Sequence, residues 1–237
     1  MTALLSLCLL CLVNWTPQGE PAPLYSQTYA VFIRGKPSGT ETVIERVDKE
    51  GNRVCQSQHE LVVTDGIESK RLAFETTTIF GRGTATLVKY SYRLLSGVSK
   101  DYYEVSIKDD KITRVLSRSG SITETSSVLQ PGTVILDFNV YHQYDQLARL
   151  YDFKKRGRQV FNDYIPVVGS QIPLAITWLE DSKLDYGKGT IPVRNFKIEF
   201  GGLRAGNYAT DLNGRLVRVI IRDQDLEVVR QDLVTEK

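Results

Sequence analysis

What most limits the folds open to this chain is an alternation of apolar and polar residues with a period of two, repeated in segment after segment. Val88, Tyr90, Tyr92 and Leu94 interleave with Lys89, Ser91 and Arg93. Tyr103, Val105 and Ile107 do so with Glu104, Ser106 and Lys108, and Phe196, Ile198 and Phe200 with Asn195, Lys197 and Glu199. Successive side chains on a strand point to opposite faces, so this pattern predicts antiparallel sheets with one covered face and one wet one. Turn chemistry separates the segments: Lys36-Pro37-Ser38-Gly39, Glu50-Gly51-Asn52, Asp65-Gly66 and Asn213-Gly214 all fall between alternating runs. Asp-Gly and Asn-Gly supply the positive φ angles of tight hairpins. Asp211-Leu212-Asn213-Gly214 opens like a calcium loop but lacks its terminal glutamate, so it reads as a hairpin turn.

One segment departs from this rule. After Gln130-Pro131-Gly132, the residues Val140, Tyr144, Leu147, Ala148 and Tyr151 fall at i, i+4, i+7, i+8 and i+11. That spacing predicts a helix over residues 139–152, with Asp137 or Asn139 as its N-cap. The expected fold class is mainly β: about a dozen strands in a large curved antiparallel sheet, half-barrel or barrel-like, with one principal α-helix packed on it. A sheet of that size curls, closes or splits rather than staying flat. A curled sheet has a concave side that something must fill.

The chain has 237 residues, 41% hydrophobic and 24% charged, enough to bury a core without disulfides or metal. A net charge of +2 removes the electrostatic case for a nucleic-acid partner. The basic run Lys154-Lys155-Arg156-Gly157-Arg158 reads as a solvated turn. Ala3 to Val13 is eleven uncharged residues, the length of a secretory h-region and short of the ~20 needed to cross a bilayer. Residues 1–23 therefore read as a signal peptide or N-terminal leader. Residues 24–237 read as a single antiparallel β domain, exported, and periplasmic or cell-envelope associated. Cys8, Cys11 and the sequon at Asn14 fall inside the leader. Cys55 is then left without a disulfide partner.

Catalytic signals are sparse. His59 and His142 are the two histidines, and Cys55, Ser57, His59, Leu61 and Val63 share one strand face by parity. Cys55 and His59 stand about 13 Å apart along an extended strand, too far for a nucleophile–base hydrogen bond. Hydrolase-elbow, phosphate-loop, dinucleotide and zinc-protease motifs do not occur. No catalytic residue, metal ligand or cofactor is assigned, and the expected class is a non-enzyme.

The distinctive material is apolar on both strand faces. Tyr29, Val31 and Ile33 alternate with Ala30, Phe32 and Arg34, and Leu216 to Ile221 behaves similarly. Such strands are either covered on both sides or line a concavity open to an apolar guest. For the second case the candidate ligand-binding residues are Tyr29, Val31, Ile33, Tyr90 and Tyr92 on strands, closed by Tyr144, Leu147 and Tyr151 from the helix. Tyrosine suits a pocket mouth, being apolar in body and polar at the tip.

Several phrases resemble a family of uncharacterised bacterial exported proteins. They are Tyr29-Ala30-Val31-Phe32-Ile33-Arg34-Gly35 with Gly39-Thr40-Glu41, the helix Tyr144 to Asp152, Gln159-Val160-Phe161, and the phrase from Asp211 to Arg218. The likeness spans most of residues 25–232. Members of that family are similar in fold to the periplasmic lipoprotein carriers, where a curved antiparallel sheet holds acyl chains against covering helices. The resemblance implies a binding protein for a lipid-like or other apolar ligand and carries no catalytic residues with it. The alternative is a structural or assembly module that binds an envelope protein through its surface or an edge strand. A hydrolase would require two of the scattered carboxylates, or His59, to converge in a cleft.

Overall fold

The computed structural model describes residues 23–65, 68–84, 86–96, 101–186, 189–202 and 204–234. The expected leader lies outside the described residues except for Pro23. The alternating segments form strands: β1 (Tyr25–Ile33), β2 (Lys36–Val47), β3 (Arg53–Asp65), β4 (Glu68–Phe80), β5 (Leu87–Leu94), β6 (Tyr102–Lys108), β7 (Lys111–Arg118) and β8 (Ser121–Val128). The second half contributes β9 (Thr133–Ile135), β10 (Arg158–Ile165), β11 (Ser170–Asp185), β12 (Thr190–Phe200), β13 (Arg204–Thr210), β14 (Leu216–Ile221) and β15 (Leu226–Arg230). All belong to one 15-stranded sheet, which is curved and not closed.

Its topology is two meanders joined at their outer ends in the chain. β1 to β8 run in order to one edge, β15 back to β9 run in order to the other, and β1 pairs antiparallel with β15. The β9–β10 pair is parallel, Asn162 standing opposite Thr133. Parallel neighbours need a long crossover between them, and here it is residues 136–157. It carries a 3₁₀ turn, Tyr141–Gln143, that runs directly into α1, Tyr144–Leu150.

This crossover lies on the inside of the curled sheet, so the one helix packs on the curved sheet as expected, on its concave face. Residues 140–148 are buried on every side, polar ones included. Tyr144 packs against Tyr208 of β13, and Tyr151 against Phe196 of β12. The helix is also shorter than 139–152. Asn139 sits in the left-handed region at φ 63°, and Tyr151 is already extended at ψ 124°. Neither Asp137 nor Asn139 caps it: the N-cap residue is Val140 for the 3₁₀ turn and Gln143 for α1, both without a side-chain cap bond.

Parity fails at one alternating position. Val88 shares sequence phase with Tyr90 and Tyr92 but is exposed, while Leu87 is buried. A bulge opposite Ile79 and Phe80 shifts the pairing so that Phe80 stands opposite Leu87, and such a bulge re-aims the flanking side chains. A tighter constraint operates at Gly39, where φ is +150° and an added Cβ would lie 2.0 Å from the Glu60 carbonyl oxygen. Only glycine permits β2 and β3 to approach so closely there.

Both two-faced strands are covered on the inside, and β14 on the outside as well. On the inside, Tyr29, Val31, Leu216 and Val219 join the main buried cluster with Leu147. On the outside, Val217 packs with Val193, Ala209 and Leu233, flanked by Leu184, Tyr186 and Ile191 from the far end of the β11–β12 hairpin. The turn Asp211 to Arg215 is the hairpin its sequence predicts, closed by Asp211 N donating to Arg215 O at 2.8 Å.

A carboxyl-lined cavity at one end of the curled sheet

The helix does not fill the whole interior. Beyond its N-terminus, a cavity of about 310 Å³ remains between the crossover and the ends of β10 to β15. Leu136, Val140, Ile165, Ile172, Phe200 and Ile221 give it apolar walls, and Tyr141 and Tyr144 present aromatic ones. Asp137, Asp163, Arg204 and Asp223 bring charge to the same space.

The two buried carboxyls are held differently. Asp137 Oδ2 accepts the Tyr90 hydroxyl at 2.7 Å and also the Tyr103 hydroxyl, while its Oδ1 accepts Phe138 N–H at 2.9 Å. Burial still pushes its pKa up, against those donors. Asp163 Oδ1 accepts Leu136 N–H at 2.9 Å. Burial pushes Asp163 up to about 8, opposed by that N–H and reinforced by the charge of Asp137. Asp163 therefore carries its proton at neutral pH. At the rim, Arg204 pairs with Asp223 at 3.1 Å.

Chemically, a carboxyl protonated at pH 7 is a hydrogen-bond donor or a general acid. Both oxygens of its neighbour are already occupied by phenols and an amide.

The other polar groups of the interior secure the crossover. Glu41 on β2 accepts Tyr141 N–H at 2.9 Å, His142 N–H at 3.2 Å and the His142 ring Nδ1 at 2.5 Å. A residue 100 positions away thus supplies the missing N-cap, a carboxylate at the positive end of the helical segment. Burial works against the Glu41 charge, yet the imidazoles of His59 and His142 hold its pKa below the ordinary range.

His59 Nε2 lies 2.7 Å from Ser57 Oγ and 3.6 Å from Glu41 Oε1. Serine, histidine and glutamate thus meet as in a hydrolase, but both partners lie on the same ring nitrogen. Ser57 is 2% exposed, and Phe74 stacks on the imidazole at 4.1 Å. Burial lowers the His59 pKa to about 4, so the ring is neutral at pH 7. The Ser57 hydroxyl is also engaged by Thr76 Oγ1, at 2.6 Å.

At the far end, Glu45 pairs with Arg215 at 2.8 Å and Arg53 at 3.3 Å, and Asp145 Oδ1 accepts Leu216 N–H at 2.6 Å. Burial and the Glu45 charge push the Cys55 thiol up to about 12.

Of the eight predicted ligand-binding residues, Tyr144 lines the cavity. Tyr29, Val31, Tyr90, Leu147 and Tyr151 are buried, Ile33 and Tyr92 partly so, all in the packed core around the crossover. Tyr90 reaches the site indirectly through Asp137. Asp163, Arg204 and Asp223 carried no signal in the alternation, because a buried aspartate reads as a surface one in sequence. Asp137 was legible only as a helix cap.

No protein-family model matches the sequence, and neither does any curated protein. Among solved structures, the chain is similar to the crystal structure of a beta-barrel-like protein of domain of unknown function DUF1849 from Brucella abortus. The TM-score is 0.60 at 9% identity, over 86% of this chain and 93% of that one. At that identity the likeness establishes the fold, a β-rich architecture shared with a bacterial domain of unknown function.

Proposed function

We propose that the protein is an exported binding protein of the cell envelope that takes a small molecule with an apolar body into the end cavity. The observation that carries this reading is the cavity itself: about 310 Å³ with mainly apolar and aromatic walls and a few convergent polar groups. That composition is the usual one for a small-molecule site, at the small end of the ~300–1,000 Å³ range. It corresponds to roughly ten waters of liquid volume, which suits one short chain or a ring rather than a multi-acyl lipid. Asp137, with both oxygens engaged, is placed for recognition rather than for activating water. The export half of the proposal rests on the apolar run from Ala3 to Val13.

Native mass spectrometry of the protein from its own compartment, with solvent extraction, tests this. A small amphiphile should accompany the wild-type chain and be lost from Ile172→Trp, which fills the cavity. A bare polypeptide in both cases, or undiminished ligand in the variant, overturns the reading.

One observation supports the assembly alternative. All eight residues of the edge strand β8 are exposed, with Ile122 at 68% and Val128 at 70%. An edge so poorly charged invites a strand from a partner. On that reading, Ile122→Lys with Val128→Lys should abolish envelope-protein crosslinking while leaving the cavity ligand in place. Retained crosslinking would remove it.

A further inference from the structure

We propose that the end cavity selects a molecule joining a protonated amine to an apolar body, with the ammonium seated at Asp163 and Asp137. The proposal rests on the reading of this cavity as a ligand site and adds the chemical class of the ligand.

The cavity carries a charge imbalance in a partly enclosed space. Among the described residues, no arginine, lysine or histidine forms an ion pair with Asp137 or Asp163, whereas the buried Glu45 has both Arg53 and Arg215. 

Arg204 pairs with Asp223 at 3.1 Å at the cavity rim, which commits the cation of the lining. Asp137 is surrounded by donors, two phenols and an amide N–H, so its carboxyl is met by dipoles and by no cation. Asp163 is 1% exposed, lines the same space, and among the described residues accepts one hydrogen bond, from Leu136 N–H. A buried carboxyl without a cation is costly to ionise. An ammonium ion arriving in the cavity would remove that cost. The aromatic walls, Tyr141 and Tyr144, favour a cation further through their ring faces, and the aliphatic walls accommodate the rest of the molecule.

Asp163 enters the encounter protonated, and the amine enters as R–NH₃⁺. On binding, Asp163 releases its proton to solvent and pairs as a carboxylate with the ammonium, so complex formation liberates up to one proton at neutral pH.

Isothermal titration of the full chain with n-hexylamine, 1-hexanol and hexanoate, in two buffers of different ionisation enthalpy, tests this. Hexylamine should bind at least about tenfold tighter than hexanol, the difference expected of a charged hydrogen-bonded pair, and should release a proton. Asp163→Asn should keep hexanol binding, lose the preference for the amine and release no proton; circular dichroism confirms that the variant is folded. Equal or tighter binding of hexanol, or preference for hexanoate, overturns the amine proposal and leaves the apolar-ligand reading standing. Binding of none of the three overturns both.

Discussion

Replacing Asp163 by asparagine asks whether a carboxyl sealed into this interior carries its proton at neutral pH. Burial pushes the group up to about 8, against roughly 3.9 in an unfolded chain. Between those values the native state holds a proton that the unfolded chain has released. The contribution to stability is thus fully present below about pH 4 and is lost as pH rises through the folded value, at up to ~1.4 kcal/mol per pH unit. From pH 4 to pH 7 the loss comes to about 4 kcal/mol, and it levels off above about pH 8. Asparagine cannot ionise, yet its amide oxygen can still accept the Leu136 N–H that Asp163 Oδ1 holds at 2.9 Å. Urea unfolding of both proteins, followed by circular dichroism from pH 4.5 to 8.5, reads the difference directly. The variant should gain about 4 kcal/mol on the wild type across that range. Two parallel stability curves would mean that Asp163 titrates in the folded protein as it does in water, and the account of a sealed, cation-free carboxyl would be refuted.

Four further outcomes follow from the same coordinates. Glu41→Gln removes the charge that caps the helical segment and binds His142 at 2.5 Å; it should cost about 3 kcal/mol in urea unfolding. Leu147→Ala empties a fully buried position at the centre of the interior and should cost about 3 to 4 kcal/mol, read as a lower Tm. Gly39→Ala meets both a positive φ and the Glu60 carbonyl, so a loss of at least ~3 kcal/mol and a low soluble yield are expected. Cys55, with its thiol pushed up to about 12, should resist iodoacetamide at pH 8 in the native protein and react after unfolding, as peptide mass mapping would show.

Much of the fold was legible because a strand writes its burial into every second residue. Tyr103 and Val105, or Phe196 and Ile198, are buried as their phase requires. The exception, Val88, is the extra residue of a bulge on β5: Ile79 faces Lys89 and Phe80 faces Leu87, so Val88 has no partner on β4, and only the pairing of the two strands shows it. The candidate site was far less legible. Asp163 occurs in a strand that reads Phe161-Asn162-Asp163-Tyr164, where an aspartate signals a wet face, and only the crossover lying over it turns that face into an interior. His59 was correctly separated from Cys55, but its contact with Ser57 and Glu41 depends on the pairing of β2 with β3, which sets Glu41 opposite His59.

The amino-acid order alone determined that this chain makes antiparallel ribbons, where they turn, and that one stretch between Asn139 and Asp152 is helical, since those properties depend on neighbours two to four residues apart. Tertiary structure decided which side of the helix is wet, and only its last turn, at Arg149, reaches solvent. The parallel pairing of β9 with β10 requires a long crossover, and this one runs through the hollow of the sheet. That passage buries the crossover's polar side chains, draws Glu41 to its N-terminus from 100 residues away, and leaves Asp137 and Asp163 facing the space it does not fill.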